Sequence, residues 1–263
     1  MNEKLKKQYK KYDIENLSYG EVGDKLGDAY EDFIVDIFED DEYVNNYINL
    51  KDCEVDENIF KTIMKYECID IKHVEKIKAS RKIPKRESNG NPKTDVIVSI
   101  KLKNGQDIFI PISVKQTTAC KVAMAEYDVK TILVETGIEN PEIEVLMKKF
   151  QKDGSAKNFT KDQEMILREE LGKDNNKERL LRWILTMSPV ACDTDIRVPK
   201  YIIRFDLDKN TLDIKKYKIC TIDKYIEDLT TNKMGKPKKG GFGTGLSWTY
   251  ATGSKGKKIQ FKG

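Results

Sequence analysis

A chain of 263 residues, 38% hydrophobic and 35% charged, has the apolar material for a sizeable buried core beneath a heavily charged surface. No stretch approaches the roughly 18 apolar residues of a membrane span, and the start MNEKLKKQYKKYD lacks the apolar centre of a signal peptide, so a cytoplasmic protein is expected. Five scattered cysteines without a C-x-x-C pair, and a lone histidine at His73, argue against a disulfide framework, a zinc site or a Ser-His-Asp triad; a metal here would be held by oxygen, which points to magnesium.

From the N-terminus, Leu26, Tyr30, Phe33, Ile34, Ile37 and Phe38 recur at helical spacing, which predicts a helix over about 24–39 with Glu31 at the flank of its apolar stripe. Residues 72–93 are basic and rich in turn formers and read as a loop running into Asp95. Next, DVIVSIKLK and QDIFIPISVK flank Asn104-Gly105, a hairpin signal usually read as a two-residue turn. Paired numbers would then sum to 209 and oppose even positions to odd ones. Yet Val96, Val98, Ile100 and Leu102 on one strand and Ile108, Ile110, Ile112 and Val114 on the other are all even. A one-residue slip turns a strand's apolar face outward, so burying both sets requires an even sum. A three-residue loop or a bulge is therefore expected, with Pro111 as the bulge candidate. The same register puts Asp95 on one face with Ser113 and Lys115. Helices follow near 119–135, 141–151, 161–171 and 177–187, then strands at 200–206 and 212–221, giving a mixed sheet flanked by helices.

Charge is unevenly placed. Residues 229–263 hold eight lysines and no acid, so the net +4 divides into +8 there and −4 over residues 1–228. This is the footprint of a polyanion binder. The segment also carries Phe242, Leu246, Trp248, Tyr250, Ile259 and Phe261, which favours a folded element over a diffuse tail. KKIQFK alternates strictly, so Lys258, Gln260 and Lys262 should share the open face of a strand and reach phosphates and base edges. Lys236, Lys238 and Lys239 are expected to touch phosphates only.

An acid and a lysine at the ends of adjacent strands suit metal-dependent phosphodiester hydrolysis, in which a carboxylate-held ion activates water and a lysine stabilises charge. Asp95 is the expected principal ligand, Lys115 the cationic partner and the Val114 carbonyl a further oxygen. A second carboxylate usually stands where this chain has Ser113. Glu31 is the first candidate to replace it, with Glu126 and Asp128 as alternatives from the helix expected after the hairpin. Alone, this spacing also fits an amphipathic hairpin with a polar face.

The segments DKLGDAYEDFIVDIF, NPKTD, SVK, AEYDV and GFGTGLSWTYATGSKGKKIQFKG together resemble type II restriction endonucleases of the PD-(D/E)XK nuclease superfamily, in particular enzymes that cut CCGG. The resemblance implies an α/β fold with a central mixed five-stranded sheet flanked by helices, as a single domain over 1–263 with 229–263 integral to it. It also implies Mg²⁺-dependent cleavage of double-stranded DNA, with Mn²⁺ as a substitute, leaving 5′-phosphate and 3′-hydroxyl ends. Such enzymes pair with a DNA methyltransferase of the same site, and a monomer or weak homodimer is expected. Carried over by position, Asp95 and Lys115 match catalytic residues, Glu31 matches an acid on the first helix, and Thr249, Tyr250, Gln260 and Lys262 match a DNA-binding surface. Two departures stand out: the resembling enzymes have asparagine at Ser113 and a DNA-contacting serine at Ala123. A structure-specific repair nuclease and a catalytically weakened DNA-binding protein are the rival readings.

Overall fold

The structure, a computed structural model, describes residues 2–17, 19–86, 91–231, 241–250, 253 and 256–263, and the side chains of these except at 19, 20, 174 and 250. In chain order the elements are α1 (Glu3–Lys11), α2 (Tyr19–Phe38), α3 (Asp41–Asn45), α4 (Val55–Tyr66), β1 (Val74–Ser80), β2 (Val96–Leu102), β3 (Asp107–Thr117) and β4 (Ala123–Tyr127). Then come α5 (Val129–Thr136), α6 (Pro141–Asp153), α7 (Lys161–Gly172), α8 (Asp174–Thr186), β5 (Tyr201–Leu207), β6 (Ile214–Thr221), α9 (Ile222–Thr230), β7 (Ser247–Tyr250) and β8 (Ile259–Lys262). Residue contacts divide the chain into two compact units, Met1–Cys120 with Asp193–Thr221, and Lys121–Cys192 with Ile222–Gly263.

The first unit holds a mixed five-stranded sheet in the order β1-β2-β3-β5-β6, in which only β3 and β5 run parallel. Helix α2 is the core helix: Leu26, Tyr30, Phe33, Ile34, Ile37 and Phe38 are all buried, as their spacing demands, and they pack with Val96, Val98, Ile100, Ile110, Ile112 and Val114. Its opposite face carries Asp28, Asp32 and Asp36 at four-residue intervals. Helix α1 answers the last two, with Lys7 Nζ 3.1 Å and Gln8 Nε2 2.6 Å from Asp36 and with Lys11 paired to Asp32.

The hairpin has the even register. Val96 pairs with Ile112 and Ile100 with Ile108; Leu102 N–H donates to the Gln106 carbonyl at 2.8 Å, which leaves a three-residue loop, 103–105. Gly105 closes it at φ +86°, in the left-handed region that favours glycine. Pro111 is not a bulge. It pairs in register with Ile97, and the bond from Leu102 fixes the alternation so that odd pairs do not exchange hydrogen bonds across β2–β3. Its missing N–H falls on the β5 side, just before pairing with β5 begins at Ile112.

Two further readings are corrected. The stretch expected as a loop over 72–93 contains β1, an edge strand whose charged Glu75, Lys76 and Lys78 lie exposed between buried Val74, Ile77 and Ala79. The helix expected over 119–135 is instead strand β4 followed by the shorter α5, which Asp128 caps by accepting from Thr131 N–H at 3.0 Å.

The second unit contains a three-stranded antiparallel sheet in the order β4-β8-β7. On one face, Trp248 and Phe261 lie 5.2 Å apart and Trp248 and Phe242 5.1 Å apart, with Phe150 and Phe159 completing a buried aromatic cluster. The Trp248 indole N–H donates to Thr244 Oγ1 at 3.2 Å, and that hydroxyl donates to the Gly241 carbonyl at 2.7 Å, so the polar atoms entering this core are satisfied. Gly245, at φ +84°, lies so close to the Leu229 carbonyl that an added Cβ would sit 2.4 Å from its oxygen. Gly245→Ala should therefore destabilise the protein by about 2–4 kcal/mol, read as a lower midpoint in thermal denaturation.

Candidate active site and nucleic-acid interface

In the first unit, the ends of β1, β2 and β3 bring the polar groups together. Asp95 immediately precedes β2, and its N–H donates to the Ile112 carbonyl at 2.9 Å, which anchors the residue against β3. Three donors from β3 then converge on one carboxylate oxygen: Ser113 Oγ at 3.0 Å, the Val114 N–H at 2.7 Å and Lys115 Nζ at 2.8 Å, all to Asp95 Oδ2. Lys115 Nζ also donates to the Val114 carbonyl at 3.0 Å. Ser113 is buried, and its hydroxyl spends its proton on Asp95, so it orients the carboxylate. The other oxygen, Oδ1, is the one left to take an ion.

Glu31 reaches this cluster from α2. Its carboxyl is pushed up to about 7 by burial and by the negative charge of Asp95, against the opposing pull of Arg81 and Lys115. Arg81, just past β1, fixes the acid: its Nε donates to Glu31 Oε2 at 2.8 Å, while its terminal nitrogens bind Asp28, Asp32 and the Tyr12 hydroxyl. Burial alone would lower the guanidinium's pKa; the hydrogen bond to Asp28 and the charges of Glu31 and Asp32 overcome it and raise it. Lys93, two residues before Asp95, is pushed down to about 8 by burial and by Lys115, with Asp95 opposing.

Sequence reasoning did not single out Arg81 or Lys93. Arg81 is some fifty residues from its carboxylate partners, and its region read as loop. The spacing of Lys93 from Asp95 within NPKTD was the available signal. Glu126 and Asp128 are not on a helix beside the hairpin: Glu126 lies on β4 and Asp128 is the cap of α5, both in the second unit.

In that second unit, β8 alternates as expected, with Ile259 and Phe261 buried and Gln260 and Lys262 on the open side; Lys258 is exposed just before it. The pairing sets Glu126, Gln260 and Thr249 opposite one another across the three strands, and Ala123, Lys262 and Ser247 in the neighbouring row. Lys121 Nζ donates to Ser247 Oγ at 2.8 Å. So Ala123, Thr249, Gln260 and Lys262 share one small sheet. The Tyr250 side chain and Lys236, Lys238 and Lys239 lie outside the described residues.

A family model described as restriction endonuclease MspI matches residues 6–263. The chain belongs to the MspI restriction endonuclease family. It is 36% identical over 266 aligned residues to the type II restriction enzyme MspI of Moraxella sp., covering 99% of each chain. It is 29% identical to the type II restriction enzyme BsuFI of Bacillus subtilis, over 95% of this chain and 61% of that one. The crystal structure of MspI in complex with its cognate DNA superposes with a TM-score of 0.86 at 35% identity, covering 100% of this chain and 99% of the other. The MspI-family chain is accordingly a type II site-specific deoxyribonuclease with a restriction-endonuclease fold.

The charge on Glu31 gives this MspI-family centre a pH signature. The folded protein keeps the Glu31 proton up to about pH 7, whereas a free glutamate releases it near 4.5. The folded state therefore binds more protons between those values, and stability falls as pH rises through them. With metal removed by chelation, Glu31→Gln should exceed the parent by about 1–3 kcal/mol at pH 8 and match it below pH 5, as read by denaturant titration at the two pH values.

Proposed function

We propose that this endonuclease hydrolyses double-stranded DNA at CCGG, using Mg²⁺ held chiefly by Asp95 with Glu31 and the Val114 carbonyl, and leaves 5′-phosphate and 3′-hydroxyl ends. What carries the reading is the convergence of Ser113, Val114 and Lys115 on a single oxygen of Asp95, beside a second acid, Glu31, whose ionisation burial and Asp95 oppose. Two carboxylates held close enough to repel suit a hard divalent cation, and a carbonyl adds a third oxygen. Among the described residues no group of three or more His, Cys, Asp and Glu side chains is placed to hold a metal ion by itself. This donor set fits Mg²⁺, which keeps several waters and shares its remaining positions with phosphate, and Mn²⁺ can replace it.

A divalent ion bound there supplies a water of lowered pKa and neutralises charge at the phosphate. The chain's own groups do the rest. Asp95 is held rigid by its three donors, so Oδ1 keeps one direction. The Lys115 ammonium, fixed by Asp95 and the Val114 carbonyl, orients the attacking water or stabilises the charge that builds on the phosphate. Glu31, clamped by Arg81, is the second acid that Ser113 does not provide.

The β4-β8-β7 sheet is the DNA-reading surface, with Gln260, Lys262 and Thr249 at base edges and phosphates, and Lys258 at phosphates. Ala123 lacks the hydrogen bond that a serine there makes. We read both units as parts of one endonuclease domain over 1–263, with 229–263 integral to it, because the family match runs through both. It acts in the cytoplasm as a monomer or weak homodimer, paired with a methyltransferase of the same site.

Digestion of plasmid DNA with Mg²⁺, followed by sequencing of the ends, should give cuts at CCGG only. Asp95→Ala and Lys115→Ala should each lower the cleavage rate at least about a hundredfold, while gel shifts in Ca²⁺ show binding retained. Undiminished cutting by Asp95→Ala would falsify the assignment.

A further inference from the structure

The row Glu126–Gln260–Thr249 contains a device that the DNA-reading surface does not need for simple affinity. Thr249 Oγ1 donates to Gln260 Oε1 at 3.2 Å, and Gln260 Nε2 donates to Glu126 Oε1 at 2.6 Å. The carboxylate settles which way round the amide lies. An ionised glutamate can only accept, so it must face the NH₂ end of Gln260, and the carbonyl end is left to the threonine hydroxyl. A flipped amide would set carbonyl against carboxylate.

An exposed acid on this surface is also a cost to binding, since DNA presents one phosphate charge per strand at every base pair. The row beside it is basic in character, with Lys262 opposite Ala123 and Lys121 on Ser247. An acid kept there needs a role that outweighs the repulsion. Carboxylates serve direct readout in one way: they accept from the exocyclic amino group of a base, cytosine N4 being the usual partner, and they repel the acceptor edge of guanine.

Resting on the reading of this sheet as the DNA-reading surface, we propose that Glu126 is a specificity-determining residue. Its free carboxylate oxygen accepts from the 4-amino group of a cytosine in the recognition site, and its bonded oxygen locks Gln260 so that the remaining amide N–H is offered to the neighbouring base. Across the row the face then reads acceptor, donor, acceptor from β4 to β7. Its first two groups match a cytosine, whose N4 amino group requires an acceptor, beside a guanine, whose O6 requires a donor. The acid contributes discrimination, and not attraction.

The test uses the full-length enzyme and duplexes carrying its mapped site. Each cytosine in turn is replaced by 2-pyrimidinone, which lacks the 4-amino group, and a second set carries every single-base substitution. For the parent, one pyrimidinone position should lower the cleavage rate roughly 10- to 100-fold. Glu126→Gln should lose a similar factor on the normal site, show no further loss at that pyrimidinone position, cut substituted sites with reduced discrimination, and bind non-specific DNA more tightly. A purely structural role predicts otherwise: Glu126→Gln would melt earlier while its ratio of correct to incorrect cutting stayed at the parent's value. That result, or a parent indifferent to every pyrimidinone, overturns the proposal. If Gln260→Ala and Lys262→Ala also discriminate as the parent does, the sheet is not the reader, and the proposal falls with that wider reading. Loss of discrimination in those two variants but not in Glu126→Gln removes Glu126 alone.

Discussion

The candidate centre depends on one carboxylate oxygen receiving three hydrogen bonds. Asp95 Oδ2 takes a hydroxyl, a backbone N–H and an ammonium from three successive residues of β3. Successive strand residues point to opposite faces, so three in a row can meet one atom only where the acceptor sits at the strand's edge and the middle residue contributes its backbone. That is the geometry of Ser113, Val114 and Lys115. The serine hydroxyl is buried and directional, the amide is fixed by the sheet, and the lysine adds charge. Charge-assisted bonds of this kind are about twice as strong as neutral ones, and together they leave the carboxylate little freedom.

The even hairpin register could be read from the sequence because eight apolar residues of one parity allow no other burial. The stripe of α2 was equally legible, and so was the alternation of Ile259 and Phe261 with Gln260 and Lys262. Each is a local period that burial enforces over several residues. What escaped was decided by partners distant in the chain. Val74–Ser80 reads as polar because an edge strand guards itself with lysines and a glutamate. AMAEY is built of helix formers, yet pairing with β8 makes it a strand. Pro111 signalled a break that never came, since its missing N–H falls where no ladder bond is made.

The site was legible in part for the same reason. Asp95, Ser113 and Lys115 follow from register. Glu31 could be placed only at a helix flank. Its anchorage by Arg81, and the burial and the charge of Asp95 that raise its pKa, belong to three dimensions. The changed place of Glu126 has the same origin: expected on a helix after the hairpin, it lies instead on a sheet with Gln260 and Thr249.

The three-residue loop at 103–105 sets a rule for how relatives of this chain can differ in length. Parity is the quantity it protects. Gaining or losing one residue between Leu102 and Gln106 would swap the buried and open faces of one strand, and would carry Ser113 and Lys115 away from Asp95 as it did so. Gaining two would leave both faces, and the cluster, where they are. Length variation at this exposed turn should therefore come in even steps.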